Sequence, residues 1–319
     1  MSGRMKWMTA AVVAAFLVLP VWGSAYAISF LVSMFMAVAL AGSWNLFSGI
    51  TGYASLGQGL FFGLGAYAFG VSTVLLHWHP VAAIALAGVV SGAGAVLLGF
   101  VLLTTRIRVA YFAIVMLGFN EITKTIVSNV KAIGSSSGLT IPPLYNNLVA
   151  YYFLLALAMS VTAIAYGVKH TRWGLGLKAI LADEVAAEVT GVATVAHKMA
   201  MFVMSAVLIG LTGSMIAWHW SYIDPYMAFD LALSFDMVVM AIFGGVGTVM
   251  GPVLGAVIMS VVKEGLSTSL PQFHTIIFGV LVLGLIMWCP GGLIQVAGLL
   301  RRRLSRVRVP GHAAGRTVR

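Results

Sequence analysis

Trp7 to Thr105 opens WMTAAVVAAFLVLPVWGSAYAISFLVSMFMAVALAGSW, closes GVVSGAGAVLLGFVLLTT, and holds no Lys, Arg, Asp or Glu in its 99 residues. A membrane-spanning helix needs about 20 apolar residues, so a run of this length holds several spans. The whole chain agrees: of its 319 residues 61% are hydrophobic and 8% charged, where a soluble domain carries about 25% charged residues. The fold class that follows is an all-α, polytopic integral membrane protein.

Moving outward from that run, apolar length places the spans. They fall at about Met8–Trp22, Ile28–Phe47, a third ending at Leu76, Val81–Leu103, Tyr111–Val130, Leu148–Val168, Met199–Trp218, Leu231–Phe243, a short Val253–Val262 and Thr275–Trp288. That is about ten transmembrane helices. The first also fits a signal peptide, since Ala25-Tyr26-Ala27 follows Arg4, Lys6 and an apolar stretch; a second span at once afterwards favours retention. Inner segments hold Arg4, Lys6, Arg106, Arg108, Lys169, Arg172, Lys178, Lys198 and seven arginines of the tail, whereas the outer loops hold Lys131 and Lys263. The bias orients the chain with both termini cytoplasmic. Residues 1–300 read as the transmembrane domain and 301–319 as a basic, solvated tail without a fold of its own. The arginines are not interleaved with aromatics, which argues against nucleic acid. The single cysteine, Cys289, excludes an intrachain disulfide and a cysteine metal cluster.

Between the apolar halves lies the longest polar segment, RWGLGLKAILADEVAAEVTGVATVAHK, Arg172–Lys198, within a cytoplasmic loop 169–198. Asp183 and Glu184 stand where a helix starts, suiting the positive end of its dipole, and Gly191 follows the last apolar position, Val189. About seven residues make a helix too short to hold itself, so it docks on something. Val185 and Val189 share one face, Glu184 and Glu188 another. An ordinary interhelical loop is the plainer reading of the same spacing; a lever offered to a partner is the sharper one.

Two Gly-rich stretches, Gly49–Gly65 and Gly244–Gly255, follow apolar spans. Glycines allow tight helix packing. Paired interrupted helices also expose backbone to a solute near the midplane, where Asn45, Ser55 and Gln58 would add uncharged hydrogen bonds. Glu121 and Lys124, three apart, share a helical face roughly 20 and 24 Å along from Arg108. They either neutralise each other or line a solute path, and Asp236 carries the same two readings. No G-x-x-x-x-G-K-[ST] occurs, so no ATP phosphate is held by a P-loop here, and nothing argues for an enzyme active site.

Several of these stretches resemble a known family. GYASLGQGLFFGLGAY (52–67), RIRVAYFAIVMLGFNEI (106–122), KAILADEVAAEVTGV (178–192), AIFGGVGTVMGPVLGA (241–256) and IIFGVLVLGLIMWCPGGL (276–293) are similar, in order, to motifs of the branched-chain amino-acid permease subunits of ATP-binding-cassette importers, M-type. The resemblance implies a coupling helix docking on an ATPase subunit, with Glu184, Ala186, Ala187 and Gly191 at its core and Asp183 in support. It implies two ATPases that bind ATP and Mg, a second permease subunit in a heterodimer, and an external solute-binding protein meeting outer loops that include Asp224 and Asp230. This chain itself would hold no cofactor. The expected place is a bacterial cytoplasmic membrane, and the expected cargo a branched-chain amino acid, urea, a short amide or an aromatic acid. An ion-coupled secondary transporter using Glu121/Lys124 or Asp236 is the alternative. Departures at Val109-Ala110, Met116 and the GSSSGL loop bear on the cargo.

Overall fold

The computed structural model describes residues 16–21, 24–105, 107–143 and 146–269, with isolated positions 279, 280, 284, 292 and 293. Most of the expected last span, the tail, Cys289, Arg106 and most of the first span lie outside the described residues.

Among the described residues the chain is built from helices, as it must be where no water satisfies backbone groups. They are α1 (Ala25–Trp44), α2 (Gly59–Val74), α3 (Pro80–Thr104), α4 (Val109–Asn129), α5 (Asn147–His170), α6 (Arg172–Ala182), α7 (Glu184–Val189), α8 (Thr194–Trp220), α9 (Pro225–Ala228), α10 (Leu231–Gly244) and α11 (Gly251–Ser269). Six stretches are long and apolar enough to cross a membrane: 25–49, 80–104, 109–129, 147–170, 194–220 and 225–244. That establishes a multi-pass membrane protein with fewer clear spans among these residues than the ten that apolar length suggests. Helix α2 is too short to count, because the glycine-rich stretch before it is not helical.

Helix α8 sits at the centre, packed on α2 and α3 on one side and on α1, α5 and α6 on others. Small residues set how close these helices come: at Gly65 a β-carbon would overlap the backbone of Gly210, and at Gly213 the carbonyl of Phe62. Helices α10 and α11 fold back as a hairpin beside α1. At Gly255 a β-carbon would overlap the carbonyl oxygen of Met240, so the hairpin closes only with glycine there. In the connections after α4 and α8, Leu139–Thr140 (β1) pairs antiparallel with Tyr222–Ile223 (β2), in register Leu139 with Ile223.

Two expectations are corrected. The short span Val253–Val262 is part of the 19-residue α11, and Lys263, expected in an outer loop, lies inside that helix paired with Asp236. A lysine and a glutamate side by side read as a loop in sequence; an acidic partner on the neighbouring helix lets them continue the helix. The polar segment also holds a second helix that spacing did not suggest, α6, whose start is capped by Thr171 accepting from Gly174 N.

Candidate functional site

The lever is α7, and its ends are chemical. Asp183 Oδ1 accepts from Val185 N at 2.9 Å and Ala186 N at 3.0 Å, satisfying two of the amides a helix start leaves bare. At the other end Gly191 takes φ +87°, Gly191 N donates to Glu188 O at 2.9 Å and Val192 N to Ala187 O at 3.0 Å. This is the glycine-terminated motif that closes a helix by reversing the chain. Both ends match the sequence reading.

The faces sort the expected coupling residues. Ala187 is buried, while Val185 and Val189 stand 71% and 84% exposed with Ala186 beside them. Glu184, expected to reach a partner, turns inward: it forms an ion pair with Lys198 Nζ and accepts from Tyr53 OH at 2.7 Å. Lys198 is fully enclosed, donates to Tyr53 OH at 3.2 Å and lies 4.4 Å from the centre of the Tyr53 ring. A buried ammonium needs such partners, since desolvation otherwise costs several kcal/mol, on the order of a whole domain's net stability. Tyr53 and Lys198 were missed as site residues. The signal available was one lysine at the mouth of an apolar run, which also reads as a positive-inside charge.

Tyr53 belongs to the break between α1 and α2. After α1 the helix widens into a π turn, Asn45–Gly49, and residues 52–58 leave the helix altogether. Unwound backbone inside a membrane protein must be satisfied by protein. Trp44 Nε1 donates to Ser55 O at 2.8 Å, Ser55 N to Ser48 Oγ at 3.2 Å, and Gly59 N to Ser234 Oγ at 2.9 Å. Asn45 bridges the two Gly-rich stretches: its Nδ2 donates to Thr248 O at 3.0 Å and its Oδ1 accepts from Gly247 N at 2.8 Å. Gln58 Oε1 accepts from Ser205 Oγ at 3.3 Å. Asn45, Ser55 and Gln58 are therefore buried together around the break, and Ser55 Oγ and Gln58 Nε2 have no hydrogen-bond partner among the described residues.

The remaining residues lie elsewhere. Glu121 and Lys124 pair with each other at 2.6 Å on α4, the least buried of the six long apolar stretches. Asp236 pairs with Lys263 at 3.1 Å across the α10–α11 hairpin. Asp224 and Asp230 follow β2 of the ribbon, where each caps a helix: Asp224 Oδ1 accepts from Tyr226 N and Met227 N, Asp230 Oδ1 from Ala232 N. Among the described residues no group of three His, Cys, Asp or Glu could hold a metal ion.

A short capped helix is thus tied to a broken one inside the membrane domain, and comparison with known proteins places the chain. Residues 26–288 match the model of the branched-chain amino acid transport system permease component. The chain belongs to that family. The permease is 28% identical over 287 residues to the high-affinity branched-chain amino acid transport system permease protein LivM of Salmonella typhimurium. It is 26% identical over 287 residues to LivM of Escherichia coli. Each alignment covers 79% of this chain and 66% of the relative, so the permease spans just under two thirds of the length of the curated relatives it matches. No solved structure matches it.

Proposed function

We propose that this permease is the membrane subunit of an ATP-binding-cassette importer in a bacterial cytoplasmic membrane. It carries a branched-chain amino acid or a related small solute (urea, an amide, an aromatic acid) inward. ATP and Mg are held by two ATPase subunits, a second permease completes the pathway, and an external binding protein delivers solute at the outer face near Asp224 and Asp230. The observation that carries this reading is the two-sided lever. Val185, Ala186 and Val189 face outward as an apolar contact for the ATPase. Asp183, Glu184, Ala187 and Gly191 hold the helix to the permease and fix its shape. When ATP draws the ATPases together, α7 is displaced, and the Glu184–Tyr53 contact passes that displacement to the unwound segment bearing Ser55 and Gln58.

The test is reconstitution of the full transporter in liposomes with loaded binding protein. ATP-dependent, vanadate-sensitive uptake is expected, together with co-purification of the ATPase that is lost on Val185→Asp with Val189→Asp. Uptake that needs no ATP and collapses with a protonophore overturns the reading. That result would favour an ion-coupled transporter, for which Asp236 paired with Lys263 inside the hairpin is the ion site.

A further inference from the structure

Between α1, α10 and α11 lies a cleft of about 490 Å³, inside the roughly 300–1,000 Å³ range of small-molecule sites. Its deep wall is apolar, with Met36, Leu40, Phe62, Met237 and Met240. Nearer the outer side it carries Asp236, Lys263 and Glu264, charges of both signs on two helices, with Asp230 at the start of α10 as a further acid whose carboxylate is already engaged in capping that helix. An ionisable group within a membrane helix is costly, about 2.5–3.5 kcal/mol on the insertion scale at the centre, and such groups collect where a pathway or pocket uses them. Asp236 and Lys263 are not sealed into the packing: the Lys263 and Asp236 side chains remain 50% and 30% exposed while paired at 3.1 Å. Glu264 accepts from the Tyr26 hydroxyl, which ties α11 to the start of α1. A carboxylate has about four acceptor sites, and the named contacts fill few of them.

We infer that this cleft is a binding site for a zwitterionic amino acid with an aliphatic side chain. The ammonium sits against the Asp236 and Glu264 carboxylates, the carboxylate accepts from Lys263, and the side chain enters the apolar wall between Met36, Leu40 and Met240. The site needs both charges on the ligand, because either alone would leave one sign of the rim facing a desolvated, unpaired group. The inference rests on the import reading above, and it adds a place where solute pauses on the outer side of the break.

The test uses the full chain in nanodiscs with Ser260→Cys, a cleft residue, in a Cys289→Ala background, and follows alkylation by N-ethylmaleimide. Leucine at about four times its dissociation constant slows a competing reaction about fivefold by mass action. That protection is expected from leucine, and not from 3-methylbutylamine or 4-methylpentanoate, which each lack one charge. Asp236→Asn and Lys263→Met should each abolish protection, while alkylation of Ser136→Cys on the outer loop stays unchanged and shows that the fold persists. Absence of leucine protection, or equal protection by the two analogues, overturns the inference. So does protection that follows the phosphatidylethanolamine content of the nanodisc instead of leucine, which would make the cleft a lipid site. ATP-dependent leucine uptake without protection would sink the cleft alone and leave the import reading standing.

Discussion

Replacing Glu184 by alanine removes the carboxylate that faces a fully enclosed Lys198. Breaking one side of a buried ion pair costs about 3–5 kcal/mol, because the remaining charge is left desolvated. Glu184 is itself 28% exposed, so water screens part of the interaction and the low end, about 3 kcal/mol, applies. At about 2–4 °C per kcal/mol for a chain of this order of size, the apparent melting temperature in detergent should fall by about 6–12 °C. Tyr53→Phe keeps the ring beside Lys198 and removes only the hydroxyl that bridges the pair. That is about 1 kcal/mol, or about 2–4 °C. The combination Glu184→Leu with Lys198→Met removes both charges and should recover most of the loss, as apolar replacements of buried pairs do. The assay is thermal unfolding of the purified permease followed by intrinsic tryptophan fluorescence, over a full cycle of single and double variants. A Glu184→Ala protein melting with wild type, or a double variant no better than Lys198→Met alone, would refute the assignment of this contact as the bond between lever and membrane domain.

Asn45→Leu should cost about 1–3 kcal/mol for each of the two backbone groups it strands at Gly247 and Thr248, read as reduced melting temperature, with Asn45→Asp falling between because it still accepts from Gly247. Gly255→Ala should abolish monodisperse protein by gel filtration, because its β-carbon meets the Met240 carbonyl; Gly167→Ala, with nothing within 4 Å, should be neutral or slightly stabilising. Exchanging the charges, Glu121→Lys with Lys124→Glu, should preserve uptake if the pair at 2.6 Å only neutralises itself. Insertion at wild-type levels with loss of uptake would instead put the pair in the solute path.

What could be read from the sequence was what local chemistry decides. Asp183 and Gly191 mark the ends of α7 because capping and chain reversal act within four residues. The glycine stretches mark the break for the same reason. What depended on distant partners was hidden. Glu184 and Asp183 are adjacent acids, yet one caps a helix while the other meets a lysine 14 residues on and a tyrosine 131 residues back. Asn45 clamps a loop 202 residues later, a relation no window along the chain contains. The ribbon of two-residue strands is too short for alternation to declare it. Helix α11 was shortened in the reading because Asp236, which makes Lys263 tolerable there, belongs to another helix.

The ribbon sets where the molecule can bend. It stitches the connection after α4 to the connection after α8, and Ile141 N adds a bond to Ser221 O at 2.9 Å. At the opposite end the same helices meet through side chains, Phe112 of α4 against Phe202 of α8, with the Tyr53 ring of the Glu184–Lys198 cluster packed edge-on to Phe112. Backbone pairing resists shear in a way that side-chain rotamers do not. If the import reading above holds, a force applied to α7 would meet helices pinned at their far end, which would splay like tongs held at the hinge. On that same reading a partner docking at the ribbon would meet a face of constant shape, and the largest excursions would fall at the end that carries α7.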